Sequence, residues 1–119
     1  MQREVRKLLI DVKDACELIQ QFVKRKEFAD YLGDPLLRSG VERQFTIIGE
    51  ALNKSLRIDP GLEESITDVR RIVNFRNILT HGYGSISDET VWGIVQRYLP
   101  RLHKEVSNLL TNVKDNPRK

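Results

Sequence analysis

Apolar residues recur every three or four positions through most of the chain, and this spacing predicts helices. The first such stretch covers residues 5–23, with charged residues at the intervening positions. A short helical turn or a packed loop is expected at residues 28–32, before Gly33. Asp34 and Pro35 then start a second helix, because Asp caps free N–H groups and Pro is tolerated at the first helical position. The apolar stripe of the second helix contains Leu37, Val41, Phe45, Ile48, Leu52 and Leu56.

The third predicted helix follows a break at residues 59–61, where the sequence reads Asp-Pro-Gly. Ser65 or Thr67 is expected to cap this helix, which runs to His81. Gly82 and Gly84 are expected to supply left-handed backbone conformations, which commonly end helices.

The fourth predicted helix begins at a cap on Ser87 or Asp88 and carries an apolar stripe from Val91 to Val113. Pro100 interrupts this stripe without ending it. We therefore predict one kinked helix here and not two separate elements.

Four to five helices with short connections, and no strand-like alternation, predict an all-α fold of the up-and-down bundle type. The chain of 119 residues is long enough for one hydrophobic core. We predict a single domain over residues 1–113. Residues 114–119 contain no apolar side chain and are expected to form a flexible C-terminal tail.

Composition excludes several classes of protein. No apolar run approaches the roughly 20 residues of a membrane span, and the N-terminus lacks the apolar region of a signal peptide. We therefore expect a cytoplasmic protein without a membrane partner. One Cys and two His argue against a disulfide and against a metal site. The net charge of +3 is compatible with nucleic acid binding but does not argue for it.

The most informative stretch is residues 76–83, RNILTHGY, at the predicted end of the third helix. Arg76 can hold phosphate oxygens through a planar fork of donors, and His81 can transfer protons near neutral pH. These two groups suit cleavage of a phosphodiester without a metal. If the substrate is RNA and its own 2′-hydroxyl attacks, the reaction needs two proton transfers and stabilisation of charge on phosphate. Asn77 is four residues from His81 and could orient the imidazole or touch a phosphate.

Helical geometry separates the two candidate groups. On an ideal helix Arg76 and His81 lie about 140° apart. A joint role therefore needs the turn at Gly82 to redirect His81, or a second protomer. A two-fold dimer that brings both helix ends together would supply two His and two Arg, which matches the two proton transfers.

A less specific interpretation of this stretch stays open. Basic residues near a helix C-terminus are favourable in any protein, and an Arg and a His followed by Gly form an ordinary stop signal. On that view the chain is a structural helical bundle. A third possibility is a non-catalytic helical module that binds a nucleotidyltransferase or a nucleic acid.

Three stretches of the chain resemble the HepT-like toxins among the HEPN-domain ribonucleases, and the likeness spans roughly residues 3 to 112. The resemblance implies an HEPN-like helical bundle acting as a homodimer, with Arg76 and His81 as the ribonuclease pair of an Arg-x4-His-x-Tyr motif at the dimer cleft. It also implies metal-independent cleavage of RNA without a cofactor, and a supporting role for Asn77. The stretches are residues 47–51 (IIGEA), 76–83 (RNILTHGY), and 91–92 with 98–102 (VW and YLPRL).

The same resemblance implies regulation. HepT-like toxins are typically paired, in type VII-like toxin–antitoxin systems, with a small MntA-like nucleotidyltransferase antitoxin. That partner adenylylates the tyrosine that matches Tyr83. The chain departs from many relatives in having Gly82 where an acidic residue follows the His, and in lacking Trp early in the third helix, where it reads TDV at residues 67–69.

Basic residues outside the motif are weaker candidates. Arg70 and Arg71 on the third helix and Arg43 on the second could contact the RNA backbone, although solvated helix charges are the plainer interpretation.

Four further residues have packing interpretations. Gly49 inside the second helix indicates close approach of a neighbouring helix, Cys16 reads as a small core residue, and Trp92 as a core anchor. His103, among charged neighbours, is expected at the surface.

Overall fold

The computed structural model describes residues 1–82 and 86–115, with side chains as far as residue 112. Six α-helices and one 3₁₀ turn, at Pro60–Glu64, account for most of this part of the chain, which contains no strand. The all-α prediction is therefore confirmed. The helices are α1 (Arg3–Val23), α2 (Phe28–Leu32), α3 (Pro35–Ile58), α4 (Val69–His81), α5 (Asp88–Arg97) and α6 (Leu99–Asp115).

The core forms where the apolar stripes of α1 and α3 face each other, with α4 and α6 packed beside them. Cys16 is buried in this core, as predicted, and desolvation raises the pKa of its thiol to about 12. Trp92 packs against the buried Tyr31, with ring centroids 5.3 Å apart, which confirms its role as a core anchor. The buried stripe of α1 contains Val5, Leu9, Val12, Ala15, Cys16 and Ile19, and that of α3 contains Val41, Phe45, Ile48, Ala51, Leu52 and Leu56.

Two of the predicted helix starts are confirmed by their caps. The Asp34 carboxylate accepts a hydrogen bond from the Leu37 N–H at 3.1 Å, and Pro35 occupies the first helical position. Ser87 accepts one from the Thr90 N–H, also at 3.1 Å. Both side chains satisfy donors that the first turn of a helix leaves free.

The predicted cap of the third helix is wrong. Asp68 precedes the first residue of α4, and neither Ser65 nor Thr67 occupies that position. The Thr67 N–H donates to the Glu105 carboxylate on α6 at 2.9 Å. The Asp68 side chain does not cap the helix either, because both of its oxygens accept from Arg101 at 3.0 Å. Long-range ion pairing has taken the place of local capping at this helix start.

The fourth predicted helix is two helices, which corrects the expectation of one kinked element. α5 ends at Arg97, α6 begins at Leu99, and Tyr98 lies between them. Pro100 has no N–H to donate to the carbonyl of Gln96, and its ring crowds that carbonyl, so the hydrogen-bond ladder is interrupted.

None of the helices built from residues 1–82 and 86–115 combines the length and apolar character that a bilayer crossing needs. α6 extends as far as Asp115, two residues into the predicted tail. Residues 116–119 and Tyr83 lie outside the described part of the chain.

Candidate active site

Arg76 is fixed at a close crossing of α3 and α4. A Cβ atom added to Gly49 would lie 2.6 Å from the Cγ atom of Arg76, and closer still to its Cβ. Side chains do not approach so closely, so only glycine allows Arg76 to sit here. The predicted close approach of a helix to Gly49 is confirmed, and the side chain that makes the approach is the candidate catalytic arginine.

The guanidinium of Arg76 is only partly used by the protein. Its Nη1 atom donates to the Oδ1 atom of Asn77 at 2.9 Å. Its Nε atom is buried and has no hydrogen-bond partner among the described residues. A buried donor without an acceptor costs free energy, and an anionic oxygen is the natural acceptor for it. Asn77 therefore supports Arg76 directly.

His81 is the last residue of α4, and its side chain is exposed. The Gly82 N–H donates to the Ile78 carbonyl at 2.6 Å, so helical bonding continues past the histidine. Gly82 has a φ of −83°, which is not left-handed, so that part of the prediction is wrong. Space explains this glycine, because a Cβ here would lie 2.8 Å from the Ile78 side chain.

Arg76 and His81 are not brought together within one protomer. Because α4 stays helical as far as His81, the separation of about 140° around the helix axis remains. No hydrogen bond joins the two side chains in the described structure. Thr80 and Asn77 lie within the arc between them, at about 40° and 100° from Arg76, and both are exposed. The four residues thus form one polar face, the Arg76–His81 face.

A groove of about 740 Å³ lies on the other side of α4, between it, α5 and Tyr98, which follows α5. We call this the α4–α5 groove. Its lining includes Arg70, Arg71, Asn74, Ile78, Ile94 and Tyr98, but neither Arg76 nor His81.

The three predicted RNA-contacting arginines have different surroundings. Arg70 donates two hydrogen bonds to Glu63, at 2.9 and 3.1 Å, and both side chains are exposed. Arg71 donates to the Tyr98 hydroxyl and lies over its ring, 4.8 Å from the centroid. Arg43 is exposed on α3 and does not line the α4–α5 groove.

Sequence reasoning did not identify Tyr98 and Asn74 as residues of this groove. Their neighbours in the groove come from helices far apart in the chain, so no local motif marks them. One signal was available: Arg71, Asn74, Ile78 and His81 are spaced as a single stripe along α4. The expectation that His103 lies at the surface is also corrected. His103 is partly buried, and its Nε2 atom lies 2.9 Å from the Glu17 carboxylate.

Across residues 1–82 and 86–115, no three His, Cys, Asp or Glu side chains come together in a group that could hold a metal ion.

Comparison with known proteins finds relatives of similar length. A protein of Methanocaldococcus jannaschii is 31% identical over 106 residues, which cover 87% of this chain and 94% of that protein. One of Caldanaerobacter subterraneus is 29% identical over 109 residues, which cover 92% and 96%. Both are named "Putative RNase". A Thermococcus cleftensis protein named "Probable ribonuclease HepT" is 29% identical over 109 residues, covering 92% and 98%.

No solved structure shows significant similarity to the chain. The family described as "Ribonuclease HepT-like" matches residues 12–109, which include α3, α4, α5 and most of α1 and α6. The matched relatives extend over nearly the whole chain as well. The protein therefore belongs to the HepT-like ribonuclease family.

Proposed function

We propose that this chain is a metal-independent RNA endonuclease that works as a homodimer without a cofactor, with Arg76 and His81 as its catalytic residues. Membership of a ribonuclease family supports RNA as the substrate class. One observation carries the residue assignment. The stem of Arg76 is fixed against Gly49, Asn77 holds one guanidinium nitrogen, and the buried Nε has no acceptor among the described residues. We infer that the terminal N–H groups of the guanidinium, at the exposed end of the side chain, bind the phosphate oxygens.

The reaction needs two proton transfers at one phosphodiester. One His81 removes the proton of the 2′-hydroxyl as O2′ attacks phosphorus. The second His81 of the dimer gives a proton to the departing 5′-oxygen as the P–O5′ bond breaks. The products are a 2′,3′-cyclic phosphate and a 5′-hydroxyl. Arg76 stabilises the charge on the non-bridging oxygens of the pentacovalent phosphorane, as a fixed cation does in phosphoryl transfer.

A dimer brings together Arg76 and His81 side chains from two protomers, although each protomer alone keeps its own two side chains apart. The Arg76–His81 face is polar and exposed, and Thr80 and Asn77 lie between its two ends. When two such faces meet about a two-fold axis, Arg76 of one protomer comes opposite His81 of the other. Each catalytic pair is then shared between protomers.

RNA cleavage in the presence of a chelator tests this function. The purified protein should cut single-stranded RNA in EDTA and leave 2′,3′-cyclic phosphate ends. Arg76→Ala should lower the rate about 10²–10³-fold, and His81→Ala about 10²–10⁴-fold, with unchanged helix content. Undiminished cleavage in both variants, or loss of wild-type cleavage on chelation, contradicts the proposal.

In the cell, the same activity makes the chain the toxin of a type VII-like system with an MntA-like nucleotidyltransferase antitoxin. Tyr83 is the residue that this partner adenylylates. Its position two residues after His81 supports the assignment, because an added nucleotide there brings bulk and negative charge to the site of RNA phosphate. Arg43, Arg70 and Arg71 contribute contacts to the RNA.

Expression with and without the nucleotidyltransferase tests this regulation. The chain alone should arrest growth, and co-expression should relieve the arrest while adding AMP to Tyr83, as read by mass spectrometry of tryptic peptides. Tyr83→Phe should stay toxic in the presence of the partner. Relief of the Tyr83→Phe variant by the partner contradicts the modification site.

A second function is favoured by the separation of Arg76 from His81 within one protomer. A non-catalytic binding partner of the nucleotidyltransferase, or of a nucleic acid, needs no convergence of these side chains. It predicts binding without cleavage and full tolerance of His81→Gln, so the chelator experiment distinguishes the two.

A further inference from the structure

At one end of the α4–α5 groove, contacts with α6 fix the start of α4. There, Arg101 of α6 pairs with Asp68, which immediately precedes α4. Beside it the Thr67 N–H donates to Glu105 of α6. These bonds fix the start of α4 against α6, while the rest of α4 stands apart from α5. The volume of about 740 Å³ lies within the roughly 300–1,000 Å³ that small-molecule sites occupy.

An aromatic and cationic pair lines this groove. Tyr98 lies at the break between α5 and α6, which Pro100 creates. The Arg71 guanidinium lies over its ring and donates to its hydroxyl, so the two planar groups hold each other in place. Unpaired nucleic acid bases stack on aromatic rings and on guanidinium planes. This pair therefore has the chemistry of a base-stacking platform.

The remaining groove residues suit a nucleotide as well. Asn74 is exposed and presents an amide, which offers both a donor and an acceptor to the edge of a base. Ile78 is 41% exposed and forms an apolar surface beside it. Stacking surface, apolar surface and an amide together are what a single unpaired base requires.

His81 lies on the same stripe of α4 as two of the groove residues. Asn74, Ile78 and His81 are spaced four and three residues apart, so they follow one stripe of α4. At 1.5 Å per residue, Ile78 is about 4.5 Å and Asn74 about 10.5 Å from His81 along the axis. A base held beside Asn74 is therefore within a nucleotide or so of a phosphate at His81.

We propose that the α4–α5 groove binds an unpaired RNA base close to the scissile phosphate, with Tyr98 and Arg71 stacking on it and Asn74 reading its edge. This subsite rests on the proposed ribonuclease function. It makes the enzyme selective for single-stranded RNA, because the bases of a duplex are stacked and paired and cannot enter. Tyr98, Arg71 and Asn74 determine specificity and take no part in the proton transfers.

The test measures RNA binding separately from cleavage. In a His81→Ala background, anisotropy of fluorescein-labelled oligouridylate and oligoadenylate gives affinity without turnover. Tyr98→Ala should weaken binding of at least one homopolymer about tenfold, the loss of one stacked base. Tyr98→Phe keeps the ring and should stay within about threefold of its parent. Gln96→Ala, a neutral change on the exposed side of α5, is the matched control and should bind as its parent does.

Asn74→Ala keeps the protein folded because Asn74 is exposed, and it should narrow the difference in affinity between the two homopolymers. In proteins that keep His81, Tyr98→Ala should raise KM with little change in kcat. In photocrosslinking with 4-thiouridine RNA, the tryptic peptide that contains Tyr98 should carry the crosslink.

Four outcomes overturn the subsite. Wild-type cleavage with unchanged binding in both the Tyr98→Ala and Asn74→Ala variants removes the subsite and leaves the ribonuclease function standing. Equal losses for single-stranded and duplex RNA, or crosslinks only outside the groove, do the same. If the His81→Ala protein binds no RNA and the wild-type protein cleaves none, both proposals fail together.

Discussion

On one side α4 lies so close to α3 that only a glycine fits opposite Arg76, whereas on the other side it stands apart from α5 and leaves a groove of about 740 Å³. The close side fixes one cation, whose buried Nε has no acceptor among the residues that the structure describes. The open side pairs Arg71 with an aromatic ring.

Under the proposed function, the difference means that α4 separates two tasks in RNA recognition. A tightly packed contact positions a charge for chemistry, since its stem cannot move. An open groove admits a planar group and discriminates among candidates by stacking. His81, at the end of α4, is the point where the two sides meet.

Arg76→Lys is expected to have the largest effect, and it tests whether the close side of α4 needs more than a positive charge. Lysine keeps the charge on the close side but lacks the planar fork and the Nε donor. Cleavage should fall about 10²-fold, near the cost of removing one oriented donor, while Asn77 loses its partner. Arg57→Lys, an exposed change on α3, is the control and should leave kcat/KM unaltered. Equal activity of Arg76→Lys and wild type would show that charge alone suffices.

Gly49→Ala attacks the same side from the opposite helix. The added methyl group overlaps the Arg76 stem, and overpacking of this kind costs about 1–3 kcal/mol, offset by roughly 1 kcal/mol of helix propensity. We expect a net loss of up to about 2 kcal/mol in the free energy of unfolding in urea. Cleavage should fall at least tenfold at temperatures where the variant is folded, because the guanidinium is displaced. Retained cleavage would mean that Arg76 does not need this contact.

Asp68→Asn tests how much the ion pair with Arg101, at the start of α4, contributes to stability. Asp68 is 8% exposed and accepts two bonds from Arg101, so losing the charge should cost about 1–2 kcal/mol in urea unfolding. Glu63→Gln is the control, since it removes an equally two-pronged pair with Arg70 that is exposed to water, and its unfolding curve should coincide with wild type. Coincident curves for both variants would remove Asp68 from the account.

Gly93→Ala should have the smallest effect and the opposite sign. Gly93 also lies inside a helix, α5, but a Cβ there would meet no atom within 4 Å. Alanine should therefore stabilise the protein by about 0.5–1 kcal/mol and leave RNA cleavage unchanged. A loss of stability at Gly93 comparable to that at Gly49 would contradict the claim that packing, and not backbone conformation, selects glycine on the close side.

The apolar stripes of α1 and α3 were predictable because each is long and its period is unambiguous, and the caps at Asp34 and Ser87 because they act on their own helices. Gly49 could be read as a packing glycine, but its partner Arg76 could not, because that contact depends on how α3 crosses α4.

The start of α4 and the α4–α5 groove escaped prediction for the same physical reason. Asp68 would have capped its helix by local rules, yet it pairs with Arg101, 33 residues away. Tyr98 lies at the break between α5 and α6, near Pro100. The continuous apolar stripe of these two helices had predicted a single helix without such a break.

The most direct test of a site shared between protomers is co-expression of wild-type and His81→Ala protomers with different affinity tags, followed by isolation of the mixed dimer. The mixed dimer keeps one His81, so one of the two proton transfers loses its histidine. We predict that the mixed dimer cleaves RNA in chelator at least about tenfold more slowly than the wild-type dimer. A mixed dimer that keeps about half of the wild-type rate, as two independent sites would, from protomers that dimerise normally, would contradict a site shared across the two-fold axis.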